Sequence, residues 1–456
     1  MNNFTDKKIG IWGFGVVGQS ALTYFDQYCV TSIEILDTKQ ITLPVTKNCV
    51  FTTVQTVESI QKFLEHNDII LVSPGIKLHD YQQYAHKFIA ELDLYQQHAS
   101  WKTIAITGSL GKTSITHLLT TILQKMNINA IAAGNIGHAM LSLIHQQQNF
   151  DRAVLELSSF QLQQAQTFAP DLAIITNLYA NHLDHHKDMQ EYCAAKCNVF
   201  LRQTNKQRAL LPLDLIDTIS DNFAIQEYWS FFSADKPSCL QLKKHGDNRI
   251  YYLNNQKIYK YFDHTTDFIF DLAQLPAITF DENWLIIIAA LDLQKINLTN
   301  LVVIAQQLDI PDHRLQKIGL SNGSIFYNDS KSTVWQATLQ AVLSLEKQSL
   351  HPIKLFVGGL SKGADRTPLF QALASKNIEI FAFGKEAEQI ELLSKQFKIP
   401  CHSSATLDAA WQACIDNLST PSQVLFSPGG SSFDLFADYK ARGQYFTQLV
   451  QDFCKN

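Results

Sequence analysis

The residues that most constrain this chain are KTIAITGSLGKTSITHLLTTILQKM, 102–126. An apolar strand runs into a glycine-bounded turn, and a Lys-Thr pair opens a helix. That order has a direct physical use. The backbone N–H groups of the turn and of the helix N-terminus surround phosphate oxygens. Within Gly108-Ser-Leu-Gly-Lys-Thr113, Lys112 supplies a mobile positive charge for phosphates, and Thr113 a hydroxyl for magnesium. The turn is shorter than the usual phosphate-loop pattern, with two residues between its glycines instead of four. The competing reading is a Gly-rich turn with a surface lysine, and the flanking strand and helix argue against it.

Phosphoryl transfer also asks for metal ligands at the ends of neighbouring strands. VLELSSFQL places Glu156 at such an end, NLYANHLDHH supplies His182 and Asp184 after the next strand, and YCAAKCNVF puts Lys196 on the following helix. Taken singly, each has a bland reading: a solvated Glu, a satisfied loop His, a surface Lys. Together they weigh more, because all fall at the carboxyl end of one inferred sheet.

A second α/β segment precedes this one. KIGIWG, SIEILDT and DIILVSPGI read as strands, with a helix after the first. Gly13-Phe-Gly15-Val-Val-Gly18 has the spacing of a dinucleotide turn, with Asp37 about twenty residues on. That motif alone is weak. The firmer expectation is a close turn whose helix N-terminus receives a diphosphate, with Asp37 on a ribose or uracil group. A third doubly wound pattern follows residue 311, where GSIFYNDS, IKLFVGGL, IEIFAFG and QVLFSPGG alternate with helices. The stretch 203–280 is polar and β-leaning, and reads as an insertion or small sheet.

Composition narrows the function classes. Lys and Arg number 37 against 42 Asp and Glu, a net charge of -5, with no long basic run, so no nucleic-acid partner is expected. No apolar run is long enough for a membrane span; WLIIIAALDL is too short for one and reads as a buried helix. The eight Cys form no CxxC pair, and Cys193 and Cys197 read as ordinary thiols rather than a metal pair. With no signal segment, these free thiols lead to an expected cytoplasmic location.

At this point the chain resembles the Mur ligases, ATP-dependent amino-acid ligases of peptidoglycan precursor synthesis. The likeness runs from the first strand to the C-terminus. It rests on GSLGKTS, GNIG (134–137), LELSSFQL (155–162), NHLDHH, AAK (194–196), DHR (312–314), NDSKST (328–333), GGLSKGAD (358–365) and SPGGSSFDLF (427–436). GNIG, ELSSFQL and SPGGSSFDLF together resemble the branch that adds D-glutamate, not those adding L-alanine, a diamino acid or the terminal dipeptide.

The resemblance implies three α/β domains. They are a Rossmann-like UDP-binding domain at 1–94, a central P-loop ATPase-like domain at 95–309, and a C-terminal Rossmann-like ligase domain at 310–456. It implies ATP, Mg2+, UDP-N-acetylmuramoyl-L-alanine and D-glutamate as ligands, and a monomer is expected. The UDP group replaces the dinucleotide at Gly13, Gly15, Val16, Val17 and Gly18, with Asp37, Thr38, Ser73, Pro74 and Gly75. ATP would meet Gly108, Ser109, Gly111, Lys112, Thr113, Ser114, Asn283, Arg314 and Asp329. Thr113, Glu156, His182 and Lys196, the last as a carbamate, would serve the metal. Asn135 matches a position near the reacting carboxylate. Lys331, Thr333, Lys362, Ser432 and Phe433 match positions around the D-glutamate carboxylates, where lysines and donors replace lost water. His182 and Lys362 fall in different domains, so catalysis is expected to need closure.

Several positions depart from the family pattern; one is Asn181, where an acidic residue commonly precedes the His. Leu110, Glu282, Ile286 and Val334 stand where the family carries a polar loop residue, a His-Asn-x-x-Asn set or an Asn. They bear on ATP affinity rather than reaction type. Two alternatives follow: a catalytically impaired homologue that binds a UDP-sugar, and a related ligase for another amino acid.

Overall fold

The computed structural model describes residues 4–145, 149–179, 185–221, 223–245, 247–276, 278–309, 312–418 and 421–455. Its strands form three sheets, and its contacts gather into two compact units. One unit comprises residues 1–178, 185–275 and 282–308; the other comprises 179–184, 276–281 and 309–456.

The first sheet contains β1 (Lys8–Trp12), β2 (Ser32–Asp37), β3 (Val50–Val54), β4 (Ile69–Val72) and β5 (Phe88–Ile89), in the order β3-β2-β1-β4-β5. Every pairing is parallel. Ile9, Ile11, Ile33, Ile35 and Leu71 are fully buried, as expected of strands covered on both faces. Gly10 packs closely under Phe63: a Cβ there would sit 2.7 Å from Phe63 Cζ, so the ring would have to shift.

The central sheet has nine strands. They are β6 (Lys102–Thr107), β7 (Ala130–Gly134), β8 (Arg152–Glu156), β9 (Leu172–Ile175), β10 (Arg208–Pro212), β11 (Trp229–Ser233), β12 (Arg249–Asn254), β13 (Lys257–Phe262) and β14 (Thr265–Asp271). The order is β14-β13-β12-β11-β10-β9-β6-β8-β7. This corrects the expectation of a separate small sheet in 203–280. β10, β11 and β12 continue the parallel sheet outward from β9, and β13 and β14 complete it as an antiparallel edge.

These two sheets share one core. Leu141, on the helix Met140–His145 after β7, packs with Ile9, Leu22 and Leu94 of the first segment. Asp93, on the helix Glu91–His98, accepts the N–H groups of Gln166 (2.9 Å) and Thr167 (2.7 Å). The helix Asp281–Leu293 is buried along almost its whole length, which explains why its sequence is apolar all round.

The second unit holds β15 (Gln316–Ser321), β16 (Ser324–Asn328), β17 (Ile353–Gly358), β18 (Ile378–Phe383), β19 (Cys401–Ser404) and β20 (Gln423–Phe426), in the order β15-β16-β20-β17-β18-β19. Only β15 runs antiparallel. Among the described residues, no helix is long and apolar enough to cross a membrane.

Candidate active site

The phosphate loop leaves β6 at Thr107. Gly108 adopts φ +138°, and a Cβ on it would lie 2.0 Å from Thr176 Oγ1, so no larger residue fits. Gly111, at φ +83°, caps the helix Lys112–Lys125, and a Cβ there would meet Asn283 Oδ1 at 2.8 Å. Asn283 therefore lies beside the loop. The first N–H groups of this helix lack intrahelical partners, and Ser109, Thr113 and Ser114 stand around them.

The end of β9 holds the loop's tip. Leu110 N–H donates to Asn177 Oδ1 at 2.8 Å, its carbonyl accepts from Thr176 Oγ1 at 2.5 Å, and Ser109 N–H donates to the Asn177 carbonyl at 3.0 Å. These bonds use the backbone of residue 110, so they are indifferent to its leucine side chain. The sequence did not single out Asn177; its only signal was a polar pair closing an apolar strand.

Two lysines meet at this loop. Lys112 Nζ donates to the carbonyls of Gly108 (2.7 Å) and Ser109 (3.2 Å). Lys196 is 2% exposed and donates to Gly108 O (2.9 Å) and Thr107 Oγ1 (3.1 Å), with its ammonium 4.9 Å above the Tyr192 ring. Burial, then the charge of Lys112, holds the Lys196 amine well below its ordinary value. Tyr192 in turn shares a 2.9 Å hydrogen bond with Ser109 Oγ.

Glu156 pairs in register with Ile106 on β6 and with Gly134 on β7. It is buried, and Asn135 approaches it twice: its N–H donates to the Glu156 carbonyl at 2.8 Å and its Nδ2 to Oε1 at 3.4 Å. Among the described residues, Oε2 is buried with no hydrogen-bond partner. A carboxylate oxygen in that condition suits a cation. Among the described residues no group of three His, Cys, Asp or Glu could hold a metal. One carboxylate and the Thr113 hydroxyl fit Mg2+ nonetheless, because that ion takes few protein ligands and completes its shell with phosphates and water. Asn181, His182 and Asp184 lie outside the described residues. Within the LELSSFQL motif, Ser158 and Gln161 form a capping box that starts the helix Ser159–Gln164. His186, the last residue of NHLDHH, is buried and hydrogen-bonded to Ser159 Oγ at 2.8 Å.

A second set of loops lies at the carboxyl ends of β1, β2 and β4. The sheet order reverses between β1 and β4, the usual ligand crevice of an open parallel sheet. Ser73 Oγ donates to Gly13 O at 2.9 Å, which ties the SPG turn (Ser73, Pro74, Gly75) to the glycine turn. A Cβ on Gly18 would lie 2.1 Å from Gly13 O, whereas one on Gly15, the helix cap, would meet nothing within 4 Å. Val16 is 70% exposed, with Val17 half-buried beside it. Asp37 spends its carboxylate on the protein: Oδ2 accepts Phe14 N–H at 2.7 Å, and Oδ1 accepts from Lys39 N–H at 3.1 Å and Thr38 Oγ1 at 3.3 Å. Burial opposes its charge, but these donors hold its carboxyl below the usual range.

In the second unit, loops after β16, β17 and β20 carry the remaining candidates, apart from Arg314, which lies just before β15. Asp329 is buried; Leu315 N–H reaches Oδ1 at 3.2 Å and Ser427 Oγ reaches Oδ2 at 2.7 Å. Burial pushes its carboxyl up to about 7, against the opposing pull of those donors and of Arg314 and Arg442. Lys331 lies 3.9 Å over the Tyr439 ring. Thr333 is half-buried and Ser432 buried, while Phe433 is 68% exposed. Lys362 is exposed at φ +55°, between Gly359 and Gly363, both also at positive φ. Arg442 fastens two of these loops, donating to Ser330 O at 2.8 Å and Gly430 O at 2.9 Å. The sequence reading missed Arg442 and Tyr439; both lie on the C-terminal helix, Tyr439–Lys455, far along the chain from the loops they serve.

The other family departures fall in ordinary places. Ile286 is a core residue, 1% exposed. Burial, then Asp214 and Asp235, push the Glu282 carboxyl up to about 7. Val334 occupies an N-cap, where it offers no side-chain acceptor to the helix Trp335–Gln348.

Residues 106–267 match the Mur ligase middle domain. The chain is 28% identical over 404 residues to the UDP-N-acetylmuramoylalanine--D-glutamate ligase of Acidobacterium capsulatum, covering 84% of this chain and 82% of that one. It is 27% identical over 455 residues to the ligase of that name from Vibrio cholerae serotype O1, covering 97% of each. Its fold superposes on the MurF ligase of Thermotoga maritima in complex with ADP with a TM-score of 0.57, at 14% identity, over 93% of this chain and 98% of that one.

Proposed function

The chain belongs to the Mur ligase family, and on that premise we propose that it joins D-glutamate to UDP-N-acetylmuramoyl-L-alanine at the expense of ATP, in peptidoglycan precursor synthesis. The observation that carries the reading is the phosphate loop, with Lys112 and buried Lys196 on one of its carbonyls and buried Glu156 on the adjacent strand. The alternative of an impaired UDP-sugar binder is not favoured, since this constellation is intact.

The chemistry follows from what a carboxylate lacks. It is a poor acylating agent until one oxygen carries a leaving group. The substrate carboxylate attacks the γ-phosphorus of ATP, the bond to the bridging oxygen breaks, and ADP departs. The D-glutamate amine then attacks the acyl phosphate, an amide forms, and phosphate leaves with the oxygen that attacked. Charge builds on the transferring group, so fixed cations around it lower the barrier. Lys112 supplies one by turning from Gly108 O to the phosphates. Magnesium, held by Thr113, Glu156 and a carbamate of Lys196, would supply the rest. Forming that carbamate from carbon dioxide needs a neutral amine, which the burial of Lys196 favours. Asn135 orients Glu156.

In this reading residues 1–94 hold the UDP group, 95–309 hold ATP, and 310–456 receive the amino acid. Arg314 and Asp329 face the nucleotide, and Lys331, Thr333, Lys362, Ser432 and Phe433 the two carboxylates. Arg442 sets the loops and Tyr439 positions Lys331. The enzyme works as a cytoplasmic monomer. The test is a phosphate-release assay with an amino-acid panel. Release should require ATP, magnesium, the UDP-substrate and D-glutamate together. Release with another amino acid in preference, or without any, would overturn the assignment.

A further inference from the structure

A cationic hollow opens at the other end of the central sheet. β6, β10 and β12 each begin on a basic residue: Lys102, Arg208 and Arg249. These three, with Lys206, Lys260 and Lys295, line a cavity of about 550 Å³ whose acidic lining residues are Asp171 and Asp292. Six cations against two carboxylates leave a local surplus of four, in a chain whose net charge is -5.

The two acids already have partners. Asp292 Oδ2 accepts from the Tyr251 hydroxyl at 2.6 Å and from Lys260 Nζ at 3.2 Å. Asp171 Oδ2 accepts Thr103 N–H at 2.8 Å. The Arg249 guanidinium lies 4.3 Å over the Phe262 ring, an arrangement that engages its face and not its N–H edge. Lys295 follows the helix Asp281–Leu293 at φ +57°, a left-handed position that glycine usually fills. Gathering like charges in a concavity is unfavourable in water and worse where walls exclude it. Lys102, Lys206 and Lys295 are exposed, so burying apolar surface does not require them there.

The volume is that of a small-molecule site, and a lining of lysines and arginines suits phosphate oxygens. The site is also distinct from the phosphate loop. Lys102 and Thr107 are the two ends of β6, a six-residue strand, roughly 17 Å long at the usual rise.

We propose that this hollow is a second anion site, taking a small molecule that carries a di- or triphosphate. Inorganic tripolyphosphate and ATP share the recognised chemistry and separate its sources. The test is calorimetric titration of each into the full chain at low salt, comparing wild type, K206E/K295E and K112A. Wild type should bind one more equivalent of tripolyphosphate than K206E/K295E, whose site weakens about tenfold or more, and K112A should keep that equivalent. The same loss with both probes assigns the site to phosphates alone; a larger loss with ATP assigns it to a nucleotide. Should K206E/K295E melt early, K206Q/K295Q carries the same comparison with a smaller loss. Isotherms unchanged by either pair overturn the proposal, as does loss of every equivalent in K112A.

Discussion

Lys112 and Lys196 donate to the same oxygen: Gly108 O accepts one ammonium at 2.7 Å and the other at 2.9 Å. Two cations on one acceptor repel, and the strain falls on the one that cannot reach water, Lys196. Either loss of its proton or arrival of a phosphate that draws Lys112 away relieves the pair. The resting arrangement is thus primed both for a neutral amine and for an anion.

The first prediction follows directly. Lys196→Arg keeps a fixed cation that cannot form a carbamate, and should lower kcat by about 100-fold or more while the fold survives. Labelled bicarbonate should give a carbamate carbon signal in wild type that Lys196→Arg lacks. A variant with near-normal kcat would show that the amine is only a structural donor to Gly108.

The loop's tip separates backbone from side chain. Asn177→Ala removes the acceptor for Leu110 N–H and should raise the KM for ATP about tenfold, the worth of roughly 1.4 kcal/mol of hydrogen bonding. Leu110→Asn should lower that KM, by about threefold at most, and leave the amino-acid preference alone. A larger effect at 110 than at 177 would mean that the side chain, not the strand end, shapes the loop.

Gly15 and Gly18 make a matched pair in the turn and helix after β1. The 2.1 Å approach to Gly13 O means that Gly18→Ala should lower the melting temperature by several degrees. Gly15→Ala has open space, so the fold should be unchanged; the added methyl faces the crevice and should raise the KM for the UDP-substrate about tenfold. If Gly15→Ala leaves every kinetic constant in place, the crevice is not where the UDP group binds.

Glu91 gives a pH signature. It is buried, accepts Leu141 N–H at 3.3 Å, and burial pushes its carboxyl up from 4.5 to about 7. The folded state therefore holds this proton more tightly than the unfolded state. Its stabilising effect is complete below about pH 4.5 and is lost as pH rises through about 7, a change on the order of 3 kcal/mol. Glu91→Gln should match wild type near pH 4.5 in denaturant unfolding and exceed it at pH 8. Equal pH slopes for the two proteins would refute this.

Local patterns made much of this legible, and long-range ones did not. The phosphate loop could be read because strand, glycines, lysine and helix lie within 102–126 and each enforces the next. Glu156 could be read as a strand end for the same reason. Asn177 grips Leu110 across 67 positions and Arg442 grips Ser330 across 112, separations that no local pattern encodes. β10 to β14 were visible as β-leaning residues, but which sheet a strand joins depends on a neighbour elsewhere in the chain. Asp37 has a role that spacing alone does not show: its oxygens accept three donors from the protein itself and hold the glycine turn in place.

The central claim is that a substrate carboxylate is activated by phosphorylation before the amine arrives. The direct measurement uses UDP-N-acetylmuramoyl-L-alanine with 18O in its alanyl carboxylate, turned over with ATP, magnesium and D-glutamate. The account predicts one 18O in each phosphate released and one fewer in the amide product. Phosphate without label, with both oxygens accounted for elsewhere, would contradict it.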